Sequence, residues 1–277
     1  MSWLILGLVS AVTLGCREII AKGLFKKFSL NFVAWWFSLF IVIGSMLMPG
    51  FTFKIPSELI VWVILKGLIL LLILYSLYSA LRLGDVSVII PLTSFLPVFV
   101  LIVSAIFLKE TLTILQLVGI MLIVLFSFLL PINSWKEIYR PSFFKTKAFG
   151  FIVLFFIFVV LGYQFDKIII GQVSPVSYVF YNFLFVVIFF SYSAKEIKKI
   201  NNSKEILFLF FIGLVALISE LTYAIAVPLI QISILASIRQ FNAIFATVVG
   251  GWIYKEPRIF YRAIISIFMV ISILFLI

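Results

Sequence analysis

The sequence predicts an all-α integral membrane protein with ten transmembrane helices, arranged as two inverted copies of a five-helix unit. Three observations support this fold class: the composition, the spacing of long apolar runs, and a repeat with a constant offset. The 277 residues are 65% hydrophobic and 11% charged, whereas a soluble domain is about half apolar and a quarter charged. Because so few polar side chains cannot cover a soluble globule of this length, a lipid bilayer is the expected solvent.

A helix that crosses a hydrocarbon core of about 30 Å needs about 20 residues, and the chain contains runs of that order throughout. The runs are continuously apolar, which excludes the alternating strands of a membrane barrel. Only Pro91 and Pro97 interrupt a run, and this predicts a kinked fourth span or one that lines a wet cavity. The predicted spans are residues 3–21, 31–49, 57–81, 86–108, 112–131, 148–168, 176–194, 205–227, 232–254 and 258–277.

The repeat is marked by a charged break between two spans. Lys109-Glu110 separates two apolar spans. Later in the chain, Lys255-Glu256 separates two apolar spans in the same way. The offset of 146 residues holds without a gap back to Gly67 and Gly213. We interpret the Lys-Glu pairs as structural breaks that end one helix and cap the next.

The longest polar connection, 132–147, divides the chain into five spans and five spans. Five is odd, so the second copy must cross the membrane in the opposite sense, as in alternating-access transporters. Fifteen Lys and Arg residues fall on the face of this loop and four on the other, with Arg17 and Arg239 set aside as intramembrane. The positive-inside rule therefore predicts a cytoplasmic connecting loop, with both termini outside the cell membrane. The predicted units are residues 1–131, a first five-helix repeat, and 148–277, the inverted second repeat.

Composition also excludes several classes of function. The net charge of +11 comes from these loops, so no separate basic face for nucleic acid is expected. The lone Cys16 lies in the first span and the chain has no histidine, so neither a disulfide framework nor a transition-metal site is predicted, and no cofactor. No phosphate-binding loop for ATP hydrolysis occurs. The N-terminal run lacks a basic start and a cleavage site, and we expect a retained first helix.

The span with two prolines ends in LKE and is followed by LQLVGIMLIVL. This pattern resembles the EamA-type members of the drug/metabolite transporter superfamily. The resemblance implies a basket of ten helices around a central cavity lined mainly by spans 1, 3, 4, 6, 8 and 9, and a transporter instead of an enzyme. Its partners would be a small-molecule solute and the bilayer, in a monomer or homodimer. Many family members are drawn with cytoplasmic termini, and the loop charges of this chain predict the reverse. The residues that carry the resemblance are Gly15, Pro91, Pro97, Leu108, Glu110, Gln116, Gly119, Gly162 and Glu256.

Glu220 and Arg239 are the most informative ionisable residues, because charged groups deep in a span are costly and mark functional sites by default. Each lies about eight residues from the turn at 228–231, so both are expected about 12 Å below the surface on neighbouring helices. Two interpretations stay open. The residues form a structural ion pair, or Arg239 holds an anionic group of a substrate while Glu220 balances it or carries a proton.

Other polar groups have an alternative interpretation at the membrane surface. Arg17 and Glu18 lie near the end of span 1, and long side chains there can extend to the interface. The equivalent end of span 6 carries Gln164, Asp166 and Lys167. Lys66 either extends outward or lies beside Glu220, and the sequence does not decide between these.

Aromatic and polar side chains at helical spacing complete a candidate substrate lining, although packing or an interfacial belt explains individual tyrosines as well. The candidate substrate-binding residues are Arg17, Tyr75, Tyr78, Thr93, Ser94, Gln164, Asn182, Glu220, Tyr223, Arg239, Gln240 and Asn242.

The leading hypothesis is a secondary active transporter that moves a small organic metabolite by alternating access. Two intramembrane arginines favour a solute that carries carboxylate or phosphate, amino acids among them. The alternatives are a multidrug or toxic-compound exporter of the same fold and, in another class, a membrane-embedded lipid-handling protein or enzyme. The enzyme would need a nucleophile or metal constellation that the sequence does not show.

Overall fold

The computed structural model describes residues 2–83, 89, 93, 96–109, 112–129 and 146–253, and isolated positions of the last predicted span (264–265, 267–268, 271–272 and 275). Over these residues every regular element is a helix and none is a strand. The α-helices are α1 Ser2–Leu24, α2 Leu30–Met46, α3 Ile60–Leu83, α4 Leu96–Phe107, α5 Ile114–Leu129, α6 Lys147–Ile170, α7 Pro175–Phe189, α8 Ser203–Ala226, α9 Ile232–Arg239 and α10 Phe241–Ile253. Short 3₁₀ segments at Ser57–Leu59, Ser191–Lys199 and Val227–Leu229 adjoin α3, α7 and α8.

Several of these helices can cross a bilayer. Within the described residues four stretches are long and apolar enough, and a fifth is added if α7 and the 3₁₀ segment after it, bent by 72°, count as one broken span. Helix α2 and the stretch Ile114–Phe126 are apolar but shorter. An all-helical, multi-pass membrane fold is thereby confirmed. The four long stretches are Ser2–Leu24, Ser57–Leu83, Lys147–Ile170 and Ser203–Leu229.

The seventh and ninth predicted spans differ in detail from the structure, and the seventh bends by 72° after Phe189. The ninth is broken, because α9 ends at Arg239 and the Gln240 N–H donates to the Ser237 carbonyl at 3.1 Å, a tighter 3₁₀ pattern. In the fourth, Pro97 lies in α4, and residues 94–95 before this helix are outside the described part of the chain. Pro91 and Glu256 lie outside the described residues.

The break between α4 and α5 lies at Lys109-Glu110, and the capping role predicted for Glu110 stays a prediction. Lys109 adopts a left-handed backbone conformation with φ of 53°, and Glu110 lies outside the described residues. The start of α5 is capped by Thr113 and Gln116, whose side chains each bond the backbone N–H of the other, at 3.2 and 3.1 Å. Such a reciprocal cap satisfies two amide groups that the helix cannot.

Helices from the two parts of the chain pack against each other throughout the bundle. Helix α1 lies against α8, α3 against α6, and α2 against α7; α2 also contacts α8, and α3 contacts α7. Helix α4 packs on α6 and α9, and α1 packs on α10. The hydroxyls of Ser10 and Ser219 each donate to the other's carbonyl at 3.0 Å, which ties α1 to α8 inside the bundle.

Two glycines let a phenylalanine ring pack directly on the backbone of a neighbouring helix. A Cβ atom on Gly67 of α3 would overlap the ring of Phe185 on α7, and one on Gly213 of α8 would overlap the ring of Phe40 on α2. Small residues at helix crossings in membranes have this role, because they let a neighbouring side chain pack on the backbone.

We expect Gly213→Ala to destabilise the protein by about 1–3 kcal/mol, the usual range for overpacking, because the Phe40 ring must leave its place. Thermal unfolding in detergent measures this. Gly150→Ala is the matched control, since a Cβ there meets nothing within 4 Å. Equal stability of the two variants would contradict the packing described.

Glu196 connects the 3₁₀ segment after α7 to the start of α2, outside the apolar spans. Its carboxylate accepts hydrogen bonds from the Ser29 N–H at 3.0 Å, the Ser29 hydroxyl at 2.5 Å and Lys199 at 3.1 Å. Ser29 in turn caps α2 by accepting from the Phe32 N–H. Burial acts to raise the pKa of Glu196, but these hydrogen bonds and the Lys199 charge outweigh it and lower the pKa.

A group whose pKa is lower in the folded state stabilises the fold above its ordinary pKa, and this contribution disappears as the pH falls through the folded pKa. For Glu196 the loss falls below its ordinary value of 4.5. We therefore expect the wild-type melting temperature to fall more than that of Glu196→Gln when the pH is lowered from about 5.5 to about 3. Parallel pH profiles would show that this cap does not contribute.

Candidate functional site

A cavity of about 110 Å³ lies among helices from both parts of the chain. It has room for several waters or one small organic solute. Aliphatic side chains of α3 and aromatic side chains of α6 and α7 form its apolar walls. Its polar and ionisable lining residues are Arg17, Glu18, Lys66, Thr93, Tyr163, Asp166, Tyr178, Asn182, Glu220, Tyr223, Arg239, Gln240 and Asn242.

Glu220 of α8 stands between two arginines. Its Oε1 is 2.8 Å from Nη1 of Arg17 on α1 and 3.8 Å from Nη2 of Arg239 at the end of α9. The Arg17 guanidinium lies 5.2 Å from the Phe37 ring centre, and that of Arg239 lies 4.2 Å from the Tyr223 ring centre, in cation–π contact. Both arginines are more than nine-tenths buried, so one carboxylate is shared by two buried cations.

Asp166 of α6 is the centre of a second polar group. Its Oδ1 lies 2.6 Å from Nζ of Lys66 on α3, which also donates to the Gly162 carbonyl at 3.0 Å. The Tyr178 hydroxyl donates to Oδ1 and the Tyr223 hydroxyl donates to Oδ2, the latter at 2.6 Å. A buried carboxylate is tolerated when a cation and further donors surround it in this way.

Glu18 of α1 is the third acidic side chain in the cavity and is 3% exposed. Nδ2 of Asn242 on α10 lies 3.3 Å from each of its carboxylate oxygens. In the part of the chain that the structure describes, no lysine or arginine nitrogen lies within 4.0 Å of this carboxylate. Gly15 allows α10 to approach, since a Cβ there would lie 3.0 Å from the Asn242 carbonyl oxygen.

Several buried polar atoms at this site make no hydrogen bond among the described residues. They include both arginine Nε atoms, on Arg17 and Arg239, and the side-chain oxygens of Asn182, Gln240 and Asn242. The same part of the chain holds no cluster of three His, Cys, Asp or Glu that could bind a metal ion. The arrangement is suited to holding a polar organic group through ionic contacts and hydrogen bonds.

Residues 1–131 match the model of the EamA-like transporter family. The chain is also similar to the uncharacterized protein MJ1333.1 of Methanocaldococcus jannaschii, with 34% identity over 137 residues that cover 47% of this chain and 97% of the relative. The chain belongs to the EamA-like transporter family. A crystal structure of another protein matches 99% of this EamA-like chain and 96% of its own, with a TM-score of 0.74 and 14% identity, which shows the fold alone.

The structure brings eight of the predicted substrate-binding residues of this EamA-like protein to the cavity and places three elsewhere. Tyr78 and Gln164 are buried but do not line it, and Ser94 lies outside the described residues. Tyr75 is 45% exposed and packs on Phe151, because the cavity face of α3 carries positions 66, 70, 73, 74 and 77. The residues that do line the cavity are Arg17, Thr93, Asn182, Glu220, Tyr223, Arg239, Gln240 and Asn242.

These positions also show where Arg17, Glu18 and Lys66 lie relative to the cavity. Glu220 and Arg239 come close to each other as their depths predict, but Arg17 is the nearer partner of Glu220. Arg17 and Glu18 do not extend to the membrane surface, since both are buried beside the cavity. Lys66 forms its ion pair with Asp166 and not with Glu220.

Sequence reasoning does not select Tyr163, Asp166 or Tyr178 as site residues. The available signal for α6 is the spacing of Phe155, Val159, Tyr163 and Asp166, in steps of four, four and three, which places them on one face of a helix. Tyr178 lies one turn before Asn182, the predicted site residue of α7. In a chain this apolar, such a stripe is not distinguishable from ordinary packing until the neighbouring helices are known.

We expect Lys66→Met to destabilise this EamA-like protein by about 3–5 kcal/mol, because the buried Asp166 charge loses its cation. Adding Asp166→Asn should recover most of the loss, since no unpaired charge then remains. Thermal unfolding of the two single variants and the double variant measures the coupling.

The exposed pair Lys27–Glu205, with N···O of 2.6 Å, is the matched control for this experiment. Lys27→Met should change stability by less than about 1 kcal/mol. If Lys66→Met costs no more than Lys27→Met, or if the effects at Lys66 and Asp166 simply add, the buried pair does not contribute as described.

Proposed function

We propose that this EamA-like chain is a secondary active transporter that moves a small solute with a carboxylate or phosphate group, amino acids among them, by alternating access. The observation that carries the proposal is the cavity, in which three acidic and three basic side chains line a small space among helices of both halves. Ionisable groups at membrane depth are costly and mark substrate pathways. The small size and charge density favour a polar solute over the bulky lipophilic compounds that a multidrug exporter carries.

Equivalent contacts in the two halves support an inverted repeat. Lys22 at the end of α1 donates to the Leu81 carbonyl at 2.7 Å, and Lys167 at the end of α6 donates to the Val227 carbonyl at 3.0 Å. Leu81 and Val227 are 146 residues apart, as are Gly67 and Gly213, each of which meets a phenylalanine ring. The relative of about half this length is consistent with a single five-helix unit. The proposed units are residues 1–131 and 148–277, joined by 132–147, with five spans each.

Contacts across the cavity support movement of one half relative to the other. Arg17 with Glu220 and Lys66 with Asp166 each join a residue of the first unit to one of the second. In alternating access two such units rock about a central site. During this movement the ion pairs on one side of the solute would open while those on the other side close. The charged side chains would then always have either each other or the solute as a partner.

We further propose that the chain lies in the cell membrane with both termini outside. Apart from the loop charges, contacts such as Lys27–Glu205 and Ser29–Glu196 gather lysine-rich segments at one end of the bundle, where the positive-inside rule expects the cytoplasm. A reporter that is active only in the cytoplasm, fused after Ile277, should remain inactive. An active fusion would overturn this orientation.

We expect Glu220→Gln to abolish solute flux while the protein remains folded, because two buried arginines lose the carboxylate that they share. The measurement is flux into proteoliposomes of a defined mixture of amino acids, hydroxy acids and sugar phosphates. Glu205 is a partly exposed carboxylate on the same helix and does not line the cavity, so Glu205→Gln is the matched control and should retain wild-type flux.

Two outcomes would count against this proposal. If the wild-type protein moves none of the mixture, it is not the transporter proposed. If Glu220→Gln transports as well as Glu205→Gln does, Glu220 has a structural role only.

A further inference from the structure

The cavity is lined by three acidic and three basic side chains, but not all of them form close ion pairs. Lys66 matches Asp166, and Arg17 matches Glu220, with N···O distances of 2.6 and 2.8 Å. Arg239 has the Tyr223 ring centre at 4.2 Å and, at 3.8 Å, a carboxylate that is already paired with Arg17, and no closer ion pair among the described residues. Glu18 has an amide and no ion pair among the described residues. One cation and one anion are therefore incompletely matched, and both line the same cavity.

Arg239 has the features of a binding group for an anion. Its guanidinium lies 4.2 Å from the Tyr223 ring centre, it is 9% exposed, and its Nε makes no hydrogen bond within the described part of the chain. A guanidinium presents parallel N–H donors that suit a carboxylate. A partner that reached this edge would satisfy a donor that is otherwise buried without one.

Glu18 has the features of a binding group for a cation. Asn242 fixes its carboxylate through both oxygens, yet an amide supplies no positive charge. A carboxylate that is 3% exposed costs several kcal/mol to bury unless a cation approaches it. The side-chain oxygen of Asn242 is also without a hydrogen bond and can accept one from an ammonium group.

We propose that the cavity is a site for a small zwitterion, whose ammonium group binds Glu18 and whose carboxylate binds Arg239. This inference rests on the proposed transport function and narrows its substrate class. A simple anion would leave Glu18 unmatched, and a simple cation would leave Arg239 unmatched. A cavity of about 110 Å³ with aliphatic and aromatic walls favours a small amino acid with an apolar or hydroxyl side chain.

The first test compares L-alanine with two analogues that each lack one charge, propionate and isopropylamine. Thermal unfolding of the purified protein reports binding, because a ligand of the folded state raises the melting temperature. We expect L-alanine, or glycine or L-serine in the same series, to stabilise the protein at a concentration at least about tenfold lower than either analogue, since each analogue leaves one buried charge unmatched. Propionate or isopropylamine acting as well as all three zwitterions would overturn the inference.

The second test changes the two binding groups. Glu18→Gln keeps the Asn242 contact but removes the charge, and it should abolish the preference for L-alanine over propionate. Glu18→Asp should retain that preference. Arg239→Gln should instead abolish the preference for L-alanine over isopropylamine. Glu196→Gln, outside the cavity, is the control and should leave both preferences unchanged.

The outcomes separate this inference from the transport function on which it rests. If Glu18→Gln changes only the pH dependence of flux and leaves the ratio of alanine to propionate binding intact, Glu18 is a proton carrier and the ammonium site is wrong. If another solute of the mixture is transported and no zwitterion stabilises the protein, the inference fails and the transporter stands. If L-alanine stabilises the protein with the expected preference and nothing is transported, the zwitterion site stands and the transport function fails.

Discussion

The central physical constraint in this protein is the burial of charge inside an apolar helix bundle. Glu220 lies against Arg17 and near Arg239, in a setting where an isolated ion would be costly. Because Arg17 comes from the first half of the chain and the other two from the second, the halves cannot separate without exposing or neutralising a charge. Lys66 and Asp166 impose the same condition elsewhere in the cavity. The fold and the candidate site are therefore coupled through the same few contacts.

Packing of the two halves is repetitive, whereas the chemistry of the cavity is not. Gly67 and Gly213 make equivalent contacts with aromatic rings. By contrast, the position 146 residues before Arg239 is Thr93, and the position before Glu220 is Leu74. Helix packing needs only shape, which both copies of a repeat can retain. In the proposed transporter, a binding site between the two units needs one set of charges, and the units differ there accordingly.

How much of the site could be predicted depended on the distance between the interacting residues in the chain. The proximity of Glu220 and Arg239 follows from a short turn between neighbouring helices, which is a local argument. The contact of Arg17 with Glu220 spans 203 residues, and that of Glu18 with Asn242 spans 224. Which faces of distant helices meet is decided by packing that sequence patterns do not report. For this reason the nearer partner of Glu220 was not predictable, and Tyr75 was placed in the site although it faces away.

The sequence by itself determined the all-helical membrane fold, because continuous apolar runs and scarce charge leave no other stable arrangement in lipid. It also determined which residues were costly to bury and so required an explanation. The tertiary structure alone decided how those residues are paired: Asp166 receives a cation and two hydroxyl donors, whereas Glu18 receives only an amide. Ionic contacts are short-ranged and depend on side-chain position within a few ångströms. Helical periodicity specifies a face of a helix, and only the packed bundle brings two such faces within that distance.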